Sequence, residues 1–392
     1  MNQIQTPCFV IHKDLVDKQL SLLKNALASH WKNSIIAYSY KTNSLPWLIR
    51  YYQQMGCYAE VVSGDEYALG RHIGVTPGGF VYNGPIKTKE TFLEALRSGS
   101  IVNIDTAREL DWLDELGSIR NCKLGIRVNF DIEAACPGHS ACGNEGGRFG
   151  FCYENGQLKK ALDAVAAKGL KVRCLHLHTS SKTRSIDVYQ AIAEKACQIT
   201  EEYGLNPEYL DIGGGFFGGL ENRPQFDDYL RAITPILERT FDKTRTTLIV
   251  EPGMSLIGPA VSYITSVIDI KDTTYGRFAI TDGSRTHIDP LMTKASYFYH
   301  LEQIAENSAT MPIQVVCGYT CMEHDRLFRL ANGPELSVGD RIVYHKVGAY
   351  TMCLSPLFIQ YFPTVYLEDQ GEQRVIRRRW QPEDYCQGET EL

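Results

Sequence analysis

Between residues 34 and 253 the chain alternates short apolar runs with amphipathic stretches, and no other feature restricts its fold as tightly. Eight runs read as strands: 34–41, 58–63, 79–83, 101–105, 123–129, 173–179, 209–212 and 247–251. Helical periodicity fills most of the intervals, as over 88–98, 157–168, 187–203 and 226–240. Regular alternation of this kind implies a parallel sheet. Eight such units in about 220 residues predict an α/β fold, a closed (β/α)8 TIM barrel. The exception is a long stretch between 129 and 157, rich in Gly and Cys. A loop of that length is expected to be functional or mobile.

After Pro259 the pattern changes. Strand-like runs at 261–271, 278–282, 313–317, 341–345 and 364–367 follow one another without regular helices, which predicts a β-rich C-terminal domain. A short strand at 6–10 joins it, and a helix from 13 to about 29 leads into the barrel. The expected division is a barrel over 12–258 and a β-rich domain built from 1–11 and 259–392. The basic run 374–380 reads as a brief solvated end. Hydrophobic content of 44% with 22% charged residues is that of an ordinary soluble globular protein. A net charge of −6 offers no attraction to nucleic acid or to an anionic membrane surface. The N-terminus lacks a basic segment followed by an apolar core, and no run approaches the length of a membrane span, so a cytoplasmic protein is expected. Cys8, Cys57, Cys122, Cys174, Cys197 and Cys317 fall within apparent core segments, as free thiols do in a reducing compartment. Cys136, Cys142 and Cys152 surround His139 but include no CxxC pair, so no metal site is expected.

In a barrel of this kind the active site forms at the C-terminal ends of the strands, and the chemically unusual residues fall there. Lys41 ends the first run; an amine leaving a buried strand is a candidate for desolvation and for Schiff-base chemistry with a carbonyl. Glu60 and Ser63 lie near the end of the second run, Arg127 and Asn129 close the fifth, and His176 and His178 end the sixth. Gly213-Gly214-Gly215 follows the seventh, where free backbone N–H groups can cradle a phosphate. Glu251-Pro252-Gly253 ends the eighth. Singly, each has a plain alternative: a lysine snorkelling to solvent, a core histidine, a tight turn, a structural ion pair. Together they point to a site that holds a carbonyl cofactor bearing a phosphate.

The motifs Tyr38-Ser39-Tyr40-Lys41-Thr42-Asn43, Glu60-Val61-Val62-Ser63-Gly64-Asp65-Glu66, Arg127-Val128-Asn129 and Arg148-Phe149-Gly150 are followed by His176-Leu177-His178, Leu210-Asp211-Ile212-Gly213-Gly214-Gly215-Phe216 and Glu251-Pro252-Gly253. Cys317-Gly318-Tyr319-Thr320-Cys321 and Gly348-Ala349-Tyr350 come after them. In this order they resemble the fold type III pyridoxal-phosphate decarboxylases, which include diaminopimelate, ornithine/arginine-type and carboxynorspermidine decarboxylases. The resemblance covers nearly the whole chain. It implies an alanine-racemase-like barrel, pyridoxal 5'-phosphate as cofactor, and a head-to-tail homodimer with shared active sites. Lys41 would hold the cofactor as a Schiff base, and His178 would stack on its ring. Glu251 would face the ring nitrogen, and Arg127 would lie by the ring's edge. Gly213, Gly214, Gly215, Gly253 and Tyr350 would hold the phosphate, with Glu60 and Ser181 nearby. Cys321 would reach the partner's site and help return a proton to the product.

The chain departs from this pattern where the family reads its substrate. Met254 follows Glu-Pro-Gly where the family carries arginine, and Asp289 stands where diaminopimelate enzymes carry a second one. The acidic residue the family carries just after this cysteine is absent: Cys321 is followed by Met322, then Glu323. Lys294 lies near the place of a carboxylate in diamine-forming enzymes. These changes favour a modified or carboxylated diamino acid or polyamine precursor over plain diaminopimelate or ornithine. The competing readings are a diaminopimelate or basic amino-acid decarboxylase, an amino-acid racemase and a non-catalytic pseudoenzyme. Glu251 opposite the ring nitrogen disfavours the racemase, and retention of Lys41 and Cys321 disfavours the pseudoenzyme.

Overall fold

The computed structural model describes residues 4–302 and 309–390 and divides into two compact units, 19–255 and a second made of 1–18 with 256–392. In the first unit eight parallel strands close into a barrel. Their order around it is Ile101–Ile104, Phe80–Ile86, Tyr58–Ser63, Ser34–Ser39, Thr247–Val250, Tyr209–Asp211, Cys174–His176 and Lys123–Asn129, and pairing of the last with the first completes the ring. Ala37, Val81, Ile101, Cys174 and Ile249, from five different strands, pack together fully buried. Only side chains directed into the barrel can meet in this way, so its interior is a filled core and chemistry is confined to the strand ends.

The strand ends differ from the sequence expectation in a way that shapes the site. The first strand stops at Ser39, and Tyr40–Thr42 forms a 3-10 turn that carries Lys41. The sixth stops at His176, which leaves His178 on irregular backbone beyond it. The 129–157 stretch is not structureless. It holds the one-turn helix Ile132–Ala135, the 3-10 turn Gly143–Glu145 and the two-residue strand Phe151–Cys152, which extends the sheet beside Val128 and Asn129. Its middle is sewn to the segment after His178: the Ala141 N–H donates to Ser180 O (3.1 Å) and that of Lys182 to His139 O (3.1 Å).

The second unit is a mostly antiparallel sheet. Cys8–His12 runs parallel to Thr364–Asp369 and antiparallel to Val261–Thr273, so the N-terminal strand does join the β-rich part. Three strands escaped the sequence reading: Phe298–Glu302, Arg326–Pro334 and Glu372–Arg377. The last corrects the view of 374–380 as a solvated end, because Arg374 and Arg377 pair with Leu367 and Val365. Its exposed face is charged, as suits an edge strand, and that charge hid the strand. Among the described residues no helix is long and apolar enough to cross a membrane.

Candidate active site

Within the barrel unit the strand-end residues converge on two buried carboxylates. Glu60, 1% exposed, accepts from Lys41 Nζ (2.8 Å) and from the Ser39 hydroxyl (2.5 Å) on Oε2, and from Asn83 Nδ2 (3.1 Å) on Oε1. Asn83 Nδ2 also donates to Glu251 Oε1, and Asn103 Nδ2 donates to Asn83 Oδ1 (2.8 Å), which fixes the orientation of the bridging amide. Lys41 is less enclosed than the strand pattern suggested. Its side chain is 38% exposed, with the amine resting on Glu60.

Glu251 is also buried, beside Asp211 and His176, whose Nε2 lies 3.6 Å from Glu251 Oε2. Two carboxyl groups this close do not both ionise. Asp211 takes the proton: burial raises it well above the usual carboxylate range, and the charge of Glu251 raises it further. Burial pushes Glu251 upward too, but His176, Lys41 and the Asp211 proton outweigh that and hold it below its ordinary value. One ligand atom from each of His176, Asp211 and Glu251 falls within 4.8 Å of the others, the one group of that kind among the described residues. With the proton on Asp211, Glu251 is the ionised carboxylate of the two, which suits a protonated ring nitrogen; a divalent cation favours two ionised carboxylates.

Burial and the neighbouring Arg127 push His178 down to about 3, so the imidazole is neutral. Its Nδ1 accepts the Gly214 N–H at 3.3 Å, which leaves the other nitrogen to carry the proton. The glycine turn leaves no room for side chains: a Cβ on Gly213 would lie 2.3 Å from His178 Nδ1, and one on Gly214 2.0 Å from Glu251 O. Several buried polar atoms here have no hydrogen-bond partner, namely Arg127 Nε, Ser255 Oγ and His176 Nδ1. Such atoms ordinarily find a partner, so a polar group belongs beside them. Gly214→Ala is expected to weaken pyridoxal-phosphate affinity about 10- to 100-fold, since relieving that overlap costs roughly 1–3 kcal/mol. Fluorescence titration checks this, and an unchanged dissociation constant would remove the turn from the cofactor site.

Other expected residues are placed as follows. Ser181 Oγ accepts the N–H groups of Thr183 (3.2 Å) and Arg184 (2.9 Å) and so shapes the turn beyond His178. Gly253 packs against Thr42, 2.0 Å from where its Cβ would be. Met254 begins the short helix Met254–Ile257. The thiols Cys136, Cys142 and Cys152 do not gather on His139, whose Nδ1 meets Thr183 Oγ1 (2.7 Å) and Ser185 Oγ (2.9 Å). In the β-rich unit Cys321 is an exposed thiol, followed by partly exposed Met322 and exposed Glu323. Tyr350 sits at φ +55°. Buried Asp325 accepts from Ser284 Oγ (3.0 Å), the Arg285 N–H (2.8 Å) and Thr320 Oγ1 (2.6 Å), holding the turn that carries Cys321. Asp289 is 3% exposed and internally engaged, taking Arg285 Nε (3.0 Å), the N–H groups of Thr293 and Lys294 (3.0 Å each) and Tyr297 OH (3.2 Å). Lys294 Nζ donates to Ile288 O at 2.6 Å. Ser39, Asn83, Asn103, Asp105 and Asp211 were not singled out from the sequence. All are polar residues inside or just after apolar strands, and that intrusion was the available signal.

An accessible lysine, a glycine turn and the buried, ionised Glu251 at the strand ends of a barrel suit an enzyme that captures a carbonyl cofactor and draws electrons into its ring. A family model for the pyridoxal-dependent decarboxylase, pyridoxal binding domain, matches residues 13–258. The chain belongs to the pyridoxal-dependent decarboxylase family and is a pyridoxal-phosphate-dependent carboxy-lyase acting on an amino acid. It is 26% identical over 383 residues to the diaminopimelate decarboxylase of Aquifex aeolicus (strain VF5), covering 95% of this chain and 89% of that one. It is 25% identical over 405 residues to the L-glutamyl-(BtrI acyl-carrier protein) decarboxylase of Niallia circulans, covering 97% and 93%. Among solved structures, a diaminopimelate decarboxylase from M. jannaschii superposes with a TM-score of 0.85 at 22% identity, over 99% of this chain and 93% of that one, a likeness of fold.

Proposed function

We propose that the enzyme removes the α-carboxylate of an amino acid whose distal arm is enlarged or modified: an N-substituted diamino acid, a carboxylated polyamine precursor or a natural-product intermediate. The observation that carries this reading is Asp289, which stands at the place of a substrate-reading arginine and is internally satisfied by Arg285 and Tyr297. Met254 removes the other such arginine. Without either guanidinium, a free amino-acid group at the far end of diaminopimelate has lost the bidentate partners that suit its carboxylate. A cavity of about 1290 Å³ beside Arg127, His178 and the 129–157 loop exceeds the roughly 300–1,000 Å³ of ordinary small-molecule sites and leaves room for a larger arm. The Niallia circulans relative is named for a carrier-bound substrate, which also favours a larger arm.

When bound, pyridoxal phosphate supplies an electron sink for the pair left on the α-carbon as carbon dioxide departs. Lys41 would hold the cofactor through its carbonyl, with Glu60 orienting the amine. Glu251 would supply a negative charge to the ring nitrogen, and the neutral His178 would pack on the ring. Lys41, or Cys321 of the partner subunit, returns a proton to the carbon. The working unit is a cytoplasmic homodimer with shared sites; the exposed apolar residues Leu354, Leu357, Phe358 and Ile359 near Tyr350 support such an interface.

Carbon dioxide release across two sets of substrates tests the reading. Free lysine, ornithine, arginine and diaminopimelate are expected to turn over at least about 100-fold less efficiently than the best N-substituted or carboxylated candidate, the scale of a lost buried ionic contact. Efficient decarboxylation of any of those four sinks the proposal.

A further inference from the structure

We infer that Asp105 is a positioning residue that ties the seating of Arg127 to the anchoring of the 129–157 loop. It lies just past the fourth barrel strand, 5% exposed. Its two oxygens serve different elements: Oδ2 accepts from Arg127 Nη1 (3.1 Å), and Oδ1 accepts the Gly150 N–H (3.1 Å) at the end of the loop. Arg127 is held from the other side as well, with Nη2 donating to His178 O at 3.3 Å. Its guanidinium lies 4.9 Å from the centre of the Phe149 ring, which Arg148 approaches at 4.6 Å. At Gly150, φ is +79°, and a Cβ would meet Arg127 O at 2.6 Å. The loop end therefore presses directly onto the backbone of Arg127. One carboxylate thus holds both a side chain of the site and the hinge of the loop that walls the cavity.

Asp105 is itself braced from behind. Its backbone N–H donates to Glu109 Oε2 at 2.7 Å, and Glu109 pairs with Lys87 at 3.2 Å, both side chains fully buried. Lys87 is further fixed on Gly84 O at 2.5 Å. A buried ion pair is weak evidence for stability, because desolvating two charges offsets most of their attraction. What this pair does geometrically is fix the backbone of Asp105, and through it Arg127 and Gly150. The inference does not depend on which amino acid is the substrate.

Residue-level hydrogen exchange on the full-length holoenzyme, with cofactor titration beside it, tests the link. In the wild type the Gly150 amide is expected to exchange at least about tenfold more slowly than amides of 143–147. Asp105→Asn can satisfy only one of the two donors. It should speed exchange at Gly150 about tenfold or more and weaken pyridoxal-phosphate affinity about three- to tenfold, with the rest of the barrel unchanged. Arg127→Lys should weaken the cofactor while leaving Gly150 protected. A Gly150 amide as fast as its loop neighbours in the wild type overturns the inference without any variant. Exchange rising evenly over the barrel in Asp105→Asn, or neither readout moving, overturns it as well.

Discussion

Lys41→Ala is expected to lower carbon dioxide release by on the order of 10³-fold or more while the protein stays folded. In the proposed mechanism this amine joins enzyme to cofactor, and the buried Lys87 cannot replace it, being sealed against Glu109 and Gly84. Folding should tolerate the change because the Lys41 side chain is 38% exposed and contributes little packing. Glu60 keeps Ser39 and Asn83 as donors. Absorbance of the purified protein with pyridoxal phosphate gives the cleanest readout. The wild type should show a band at about 410–430 nm that Lys41→Ala lacks. A band and gas release that both survive the substitution would mean that another amine holds the cofactor.

Glu251→Gln is expected to cut kcat by about 10²- to 10³-fold, the scale on which a preorganised charge acts in a site shielded from water. The Glu251–Asp211 pair adds a sharper expectation. Asp211 is protonated because it is buried against an ionised Glu251. Removing that charge lets Asp211 ionise more readily, so part of the lost negative charge should reappear on it. Glu251→Gln should therefore keep a residual rate that rises with pH, and adding Asp211→Asn should abolish that rise. The measurement is kcat against pH for the two single variants and the double. A pH-independent residue of activity, equal in single and double variants, would show that Asp211 does not share the charge. Full kcat in Glu251→Gln would remove the carboxylate from the electron sink altogether.

Much of the barrel was legible because parallel strands buried on both faces must be written as apolar runs, and eight of these stand out between helical stretches. Lys41, His178, the glycine triplet and Glu251 were legible for the same reason, since each interrupts a run at the end where a barrel collects its chemistry. In the β-rich unit three strands went unread. Phe298–Glu302 mixes aromatic, imidazole and carboxylate groups, and Glu372–Arg377 has only Val375 and Ile376 as apolar residues, side by side; both strands lie in an antiparallel sheet, where one face can meet water.

The sequence by itself determined the class of chemistry. A lysine, a glycine triplet and a strand-end carboxylate in that order are covalent facts, and a barrel brings strand ends together whatever the helices between them contain. Only the tertiary structure decided how those groups share charge. Asn83, on the strand paired with that of Glu60, also reaches Glu251, 168 residues further along the chain. Asp211 rather than Glu251 carries the proton because of what surrounds each of them. Asp289, which from its place in the chain could have met a substrate amine, spends its lone pairs on Arg285 and its own loop. Charge state and hydrogen-bond occupancy depend on burial and on neighbours brought in from distant segments. A linear pattern can name the residue but not the company it keeps.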